Sequence, residues 1–153
     1  LWHAQMTQGF FAAAAAAAAQ LNIHRQIVWV KNHFILGHGD FHWQHELCFY
    51  GWREGHRARW FGDRAQSTTW MIPRPSAADT HPTEKPVEIF ARSMRMSTES
   101  GEIVAEPFAG SGTQFVAAEQ LGRICYGMEI EPKYVAVTLQ RMADMGLEPR
   151  LVK

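Results

Sequence analysis

Glycine and proline cut the second half of the chain into apolar pieces of alternating length and period. That alternation limits the fold more than any other feature of the sequence. Pro86 suits the first turn of a helix, and Val87, Phe90, Ala91 and Met94 then space as one apolar face. Gly101 closes that piece. Ile103–Phe108 reads as a short strand, Gly112–Leu121 as a helix with Gly122 as its C-cap, and "ICYGMEIEP" (124–132) as a second strand ending in acid. Tyr134–Met145 reads as a helix with Val135, Leu139 and Met142 on one side, closed by Gly146. Helix, strand, helix, strand, helix predicts an α/β domain, with a mostly parallel sheet and helices on both faces.

The first half is less regular. "GFFAAAAAAAAQL" (9–21) predicts a helix, because alanine is the strongest helix former. It is too short and too weakly apolar to span a bilayer. Ile27, Val28, Trp29 and Val30 are contiguous and β-branched or aromatic, as in a buried strand. Gly37 and Gly39 mark a loop, and Glu46–Trp52 predicts another strand. From 53 to 80 the character changes to arginine, glycine and proline, which reads as an exposed connector with a rigid piece between Pro73 and Pro75.

Between the two strands of the second half lies "EPFAGSGT" (106–113). A strand, a glycine turn and a helix form a cradle where a ligand can approach the backbone and meet the helix's free N–H groups. An acid at the end of the next strand can hold two ribose hydroxyls, and Glu129 stands nineteen residues past Gly110, close to the roughly 20 of a dinucleotide-type unit. The pair therefore points to a nucleoside. A P-loop needs lysine directly before its Ser or Thr, and here Gly112 precedes Thr113. A dinucleotide fingerprint needs a third glycine where Phe115 stands, so NAD is the second choice.

The chain has 153 residues, enough for one domain, and 46% are apolar, enough for a core. Net charge is zero, so any contact with nucleic acid must rest on a local patch. The cysteines Cys48 and Cys125 form no paired motif; together with the methionines they are expected in the core, in a reducing cytoplasmic protein. No basic n-region precedes the apolar stretch, so no signal peptide is expected. His33, His38, His42 and His45 match no standard zinc spacing, and no metal is expected.

"HPTEKP" (81–86), "EPFAGSGT" and "GMEIEP" (127–132) together resemble the amino-group DNA methyltransferases of the N6-adenine and N4-cytosine type, in the motif order of the beta group. "IVWVKN" and "HELCFYGW" resemble that family's middle strands, with Trp29, Lys31 and Glu46 at recurrent positions. The resemblance implies a Rossmann-like fold, S-adenosylmethionine as cofactor and DNA as partner. It places Phe108, Gly110, Gly112 and Thr113 at the methionine end, Glu129 on the ribose and Ile130 beside the adenine, and counts Glu106 among the cofactor-binding residues. His81, Thr83 and Lys85 would belong to the segment that closes over the methionine end. Glu106 stands where the family more often has Asp, and Gln114 where it often has Thr.

That resemblance divides one domain, 1–153, into part of the catalytic half (1–52), a short target-recognition connector (53–80) and the cofactor-binding half (81–153). The family also needs an Asp, Asn or Ser followed by two prolines and an aromatic, which orients the target amine and stacks on the flipped base. The seven prolines here include no adjacent pair. The expectation is an N-terminally truncated methyltransferase whose motif would precede Leu1, inactive alone. A homodimer or a complementing chain would supply the loop. The alternative is an inactive module that binds S-adenosylmethionine or DNA. Arg53, Arg57, Arg59 and Arg64, interleaved with Trp60 and Phe61, are the expected DNA contacts.

Overall fold

In the computed structural model, residues 1–74 and 84–152 are described. The chain divides into two compact units, Leu1–Arg74 and Pro75–Lys153.

The first unit is built on a long hairpin. β1 (Trp2–His3) and a single turn of 3-10 helix at Gln5–Thr7 lead into α1 (Gln8–Ala19), the expected alanine helix. It ends at Gln20, whose left-handed backbone (φ 51°) turns the chain into β2 (Leu21–Ile35). β3 (Trp43–Arg53) pairs antiparallel with β2, from Leu21 opposite Arg53 to Ile35 opposite Trp43. β4 (Thr69–Met71) pairs parallel with β2 on its other side, and β1 runs antiparallel to β3, giving the order β1-β3-β2-β4.

Two expectations change here. The α/β class stands, but this sheet is mixed rather than mostly parallel. The loop 36–42 between β2 and β3 is too short for a parallel crossover, which takes a dozen or more residues, so the strands must turn back on each other. The stretch read as an exposed connector also contributes β4, and Trp70 and Ile72 are buried.

The core of this unit centres on Trp29, 1% exposed. Its ring meets Trp2 edge-on at 6.3 Å, and its indole N–H donates to the Ile72 carbonyl at 2.6 Å. Beside it lies Lys31, 4% exposed, with Nζ 2.9 Å from Glu46 Oε1 and 5.3 Å from the centre of the Trp29 ring. A cation that deep must be paired, and the register places its partner strand alongside.

In the second unit, α2 (Val87–Ser97) buries Ile89, Phe90, Ala91 and Met94. It packs on α3 (Thr113–Gln120), whose Val116, Ala117 and Ala118 are small enough to let the two helices approach closely. β5 (Ile103–Glu106) and β6 (Ile124–Gly127) pair in parallel, Ile103 opposite Ile124 through Glu106 opposite Gly127. The chain returns between them through α3, as a parallel pair requires. α4 (Pro132–Asp144) follows with Pro132 in its first turn and buries Thr138 and Met142; Val135 and Leu139 stay partly exposed.

Along β5 and β6 burial alternates. Val104 and Cys125 are half-buried, while Ile103, Ala105, Ile124 and Tyr126 are exposed. Of the sulfur residues expected in the core, Cys48, Met94 and Met142 are buried, but Met6, Met71 and Met128 are largely exposed.

Candidate functional site

The glycine turn follows β5. Parallel pairing puts the ends of β5 and β6 side by side, so residues 107–112 and 128–131 leave the sheet at one edge. Two backbone bonds carry the pairing past the strands: Met128 N–H donates to the Glu106 carbonyl and Ala109 N–H to the Met128 carbonyl, both at 2.9 Å.

Glu129 then bridges the two segments. Its Oε2 accepts from Gly110 N–H at 2.7 Å and its Oε1 from Glu131 N–H at 2.9 Å. The bond to Glu131 N–H, then that to Gly110 N–H, hold its carboxyl below the ordinary glutamate value of 4.5. The acid is therefore ionised at neutral pH, at the mouth of the turn. Glu106 does similar local work: its Oε1 accepts from Phe108 N–H at 2.9 Å. The Cys125 thiol beside it is pushed up to about 11, chiefly by burial and then by the Glu106 charge. That thiol is protonated at neutral pH.

The two glycines of the turn differ. Both are left-handed, Gly110 at φ 55° and Gly112 at φ 78°. A Cβ on Gly110 would meet nothing within 4 Å, whereas one on Gly112 would lie 2.6 Å from Thr138 Cγ2. The first opens onto free space, and the second is fixed by α4. The missing third glycine is also accounted for. Phe115 lays its ring against β6, where a Cβ on Gly127 would come within 2.3 Å of it. The close approach is supplied from the strand instead of the helix.

Of the residues picked out from the sequence, Glu106, Phe108, Gly110, Gly112, Glu129 and Ile130 gather at this edge. Phe108 is 69% and Ile130 96% exposed, apolar surface on either side of the turn. Thr113 departs from the expectation. It is buried at 3%, and its hydroxyl accepts from Arg141 Nη1 at 3.2 Å, so it supports the turn from behind. Lys85 is half-buried just before α2. His81 and Thr83 lie outside the described residues.

Sequence reasoning missed two side chains here, Arg141 and Thr138, and named Gln114 only as a departure from the family pattern. Arg141 also donates from Nη1 to the Ser111 carbonyl at 3.2 Å and pairs through Nη2 with Glu84. Thr138 Oγ1 donates to the Gly110 carbonyl at 3.0 Å. Gln114 is buried at 7%, and its Oε1 has no hydrogen-bond partner.

The arginines stand in the first unit. Arg53, Arg57, Arg59 and Arg64 are all exposed. The Arg59 guanidinium lies over the Phe61 ring at 5.1 Å, and Arg53 donates to Gln20 Oε1 at 3.3 Å. Trp60 is pinned rather than free, since its N–H donates to the Asp63 carbonyl at 3.2 Å and its ring meets Tyr50 edge-on. Among the described residues no group of three or more His, Cys, Asp or Glu could hold a metal ion, and no helix is long and apolar enough to cross a membrane.

A glycine turn and an acid stand at the ends of neighbouring parallel strands in an α/β domain. The DNA methylase family profile matches residues 59–140, and the chain belongs to that family. It is 38% identical over 65 residues to the type II methyltransferase M2.DpnII of Streptococcus pneumoniae, covering 42% of this chain and 24% of that protein. It is 30% identical over 88 residues to M2.MboI of Moraxella bovis, covering 55% and 32%. The chain thus spans about a quarter to a third of the curated relatives it matches.

Among solved structures, M1.HpyAVI in its complex with SAM superposes with a TM-score of 0.78 at 21% identity, over 92% of this chain and 72% of that one. The cytosine-N4-specific PvuII DNA methyltransferase gives 0.71 at 15% identity, over 97% and 59%. The fold is that of DNA methyltransferases.

Proposed function

We propose that this chain is part of an amino-group DNA methyltransferase, with 1–52 from its catalytic half, 53–80 a target-recognition connector and 81–153 its cofactor-binding half, that transfers a methyl from S-adenosylmethionine to the exocyclic amine of adenine or cytosine in DNA, in the cytoplasm. One observation carries the reading. The ionised Glu129 is bonded to the Gly110 N–H across a turn whose open side would be filled by a Cβ. A nucleoside with two vicinal hydroxyls fits that arrangement. Glu129 accepts from the ribose, Ile130 and Phe108 offer exposed apolar surface to the adenine and the methionine end, and Gly110 leaves room for both. Lys85, with His81 and Thr83, serves the segment before α2.

The bound cofactor supplies an electrophilic methyl on a sulfonium, so the protein's task is alignment and electrostatics rather than strong acid–base chemistry. The 153 residues contain no adjacent prolines to orient the target amine, and that task falls to a segment or chain outside them. Arg53, Arg57, Arg59 and Arg64 contact DNA phosphates. Two measurements test the reading. Calorimetry should give saturable, one-to-one binding of S-adenosylmethionine, and tritiated methyl transfer to mixed-sequence DNA should stay at background until a segment carrying the proline motif is added. Absence of cofactor binding by the folded chain would overturn it.

A further inference from the structure

Helix α4 reaches the glycine turn with two side chains, three residues apart and therefore on one face. Thr138 takes the Gly110 carbonyl, and Arg141 takes the Ser111 carbonyl and the Thr113 hydroxyl. Glu129 takes the Gly110 N–H, and the Gly112 N–H closes on the Ala109 carbonyl at 2.9 Å. Successive polar groups of the turn are thus occupied before any ligand arrives. Arg141 has a further partner in Glu84, whose side chain is 11% exposed against 24% for the arginine. Glu84 directly precedes Lys85 and Pro86, the N-cap of α2.

We propose that Arg141 is a positioning residue for the cofactor: its guanidinium fixes the shape of the glycine turn and, through Glu84, ties to it the segment that enters α2. A planar fork with several donors suits three acceptors in different directions; the compact ammonium of lysine does not. The partly buried pair with Glu84 is shielded from solvent, so removing either charge leaves the other without its partner. The turn then keeps its Glu129 and Thr138 bonds but loses its hold at Ser111, and ligand binding must order what was ordered before. Arg141 does not touch the ligand in this account.

The inference rests on the cofactor reading above, and the experiment separates the two. Calorimetry with S-adenosylmethionine is run on the whole chain and on Arg141→Lys, Arg141→Ala, Glu84→Gln and the Arg141→Ala/Glu84→Gln double variant, each with its thermal midpoint. Hydrogen exchange at Gly110, Ser111 and Gly112 is followed without ligand. Arg141→Ala should weaken binding about tenfold or more, the scale of a lost charged hydrogen bond. Glu84→Gln should weaken it less, and the double variant no more than Arg141→Ala alone. Arg141→Lys keeps the charge and should keep the midpoint, yet still raise exchange at Ser111 and Gly112 and weaken binding severalfold. A parent chain that does not bind overturns the cofactor reading itself, and the inference with it. A parent that binds, with an Arg141→Lys variant of unchanged affinity and exchange, overturns the inference alone. Should Arg141→Ala fail to fold, Arg141→Lys and Glu84→Gln decide by the same measures.

Discussion

The glycine turn and the arginine-rich segment both stand out in the sequence as places to meet a ligand, but they are held in different ways. The turn at 109–113 is fixed by side chains from distant parts of the chain: Glu129 after β6, and Thr138 and Arg141 on α4. In the segment at 53–64 several contacts run between near neighbours, while Arg53 reaches Gln20 and Trp60 meets Tyr50. Arg59 lies over Phe61, Trp60 donates to Asp63, and Asp63 Oδ1 accepts from Ala65 N–H at 2.8 Å and Gln66 Nε2 at 2.9 Å. A cradle that must match one small ligand needs its geometry fixed in advance. A patch that follows a repeating phosphate backbone needs charge and reach, and rigidity adds little.

The largest expected effect tests the fixed region. Gly112→Val places a branched side chain at φ 78° and against Thr138. Backbone strain and overpacking together should cost roughly 3–5 kcal/mol of stability in chemical denaturation. The sequence alone suggests that a side chain there would displace the ligand, whereas the contact is with α4. Gly110→Ala meets no atom and should cost only about 1 kcal/mol, from its φ of 55°. Equal costs at the two glycines would erase the distinction between a packed and an open position.

Next is Glu129. Replacing it by Ala should weaken S-adenosylmethionine binding by roughly 1.5–3 kcal/mol, as for a charged hydrogen-bond acceptor; unchanged affinity in a folded variant would remove it from the site. Its titration gives a second check. A carboxyl depressed in the folded state contributes stability that is full above the unfolded value, near 4.5, and is lost as pH falls through the lower folded value. The difference in thermal midpoint between the parent and Glu129→Gln should therefore be present at pH 7 and shrink below pH 4.5. A pH-independent difference would mean that the two backbone bonds do not depend on the charge.

The turn's backbone was legible because its cues are local: small residues after a β-rich run, a helix after them, an acid at the right distance. The supporting side chains were not. Ser111 and Arg141 are 30 residues apart and Gly110 and Thr138 are 28, and nothing in the local pattern of α4 marks two of its residues as partners of a carbonyl. Phe115 looked like a defect in a glycine motif until Gly127 showed that the space had been made on the strand. β4 is three residues long and carries no period to detect, so it was absorbed into a connector. The antiparallel hairpin was within reach, since the gap between β2 and β3 leaves no room for a crossover. The alternation of the second half does not extend to the first, whose sheet is built on an antiparallel hairpin.

On the arginine side the comparison sharpens with salt. Replacing Arg57 and Arg59 together by Ala should flatten the slope of log affinity for DNA against log salt by about two contacts' worth. Fluorescence anisotropy across a salt series reads it. An unchanged slope would make this an ordinary solvated loop.

The smallest effect is expected at Asp63, and it separates the two kinds of region most directly. Its carboxylate organises residues 63–66 through bonds to Ala65 and Gln66, but the residue is exposed, and water replaces those bonds at little cost. Asp63→Ala should change stability by no more than about 0.5 kcal/mol, the usual range for a surface substitution. It also removes a negative charge from the neighbourhood of Arg59 and Arg64, so DNA affinity at low salt should hold or rise slightly. Paired denaturation and anisotropy measurements check both. A loss of DNA binding in Asp63→Ala, with stability intact, would mean that the arginines are positioned by a specific local fold. The segment would then be as shape-dependent as the glycine turn, and the contrast between a fixed cradle and an adaptable patch would fail.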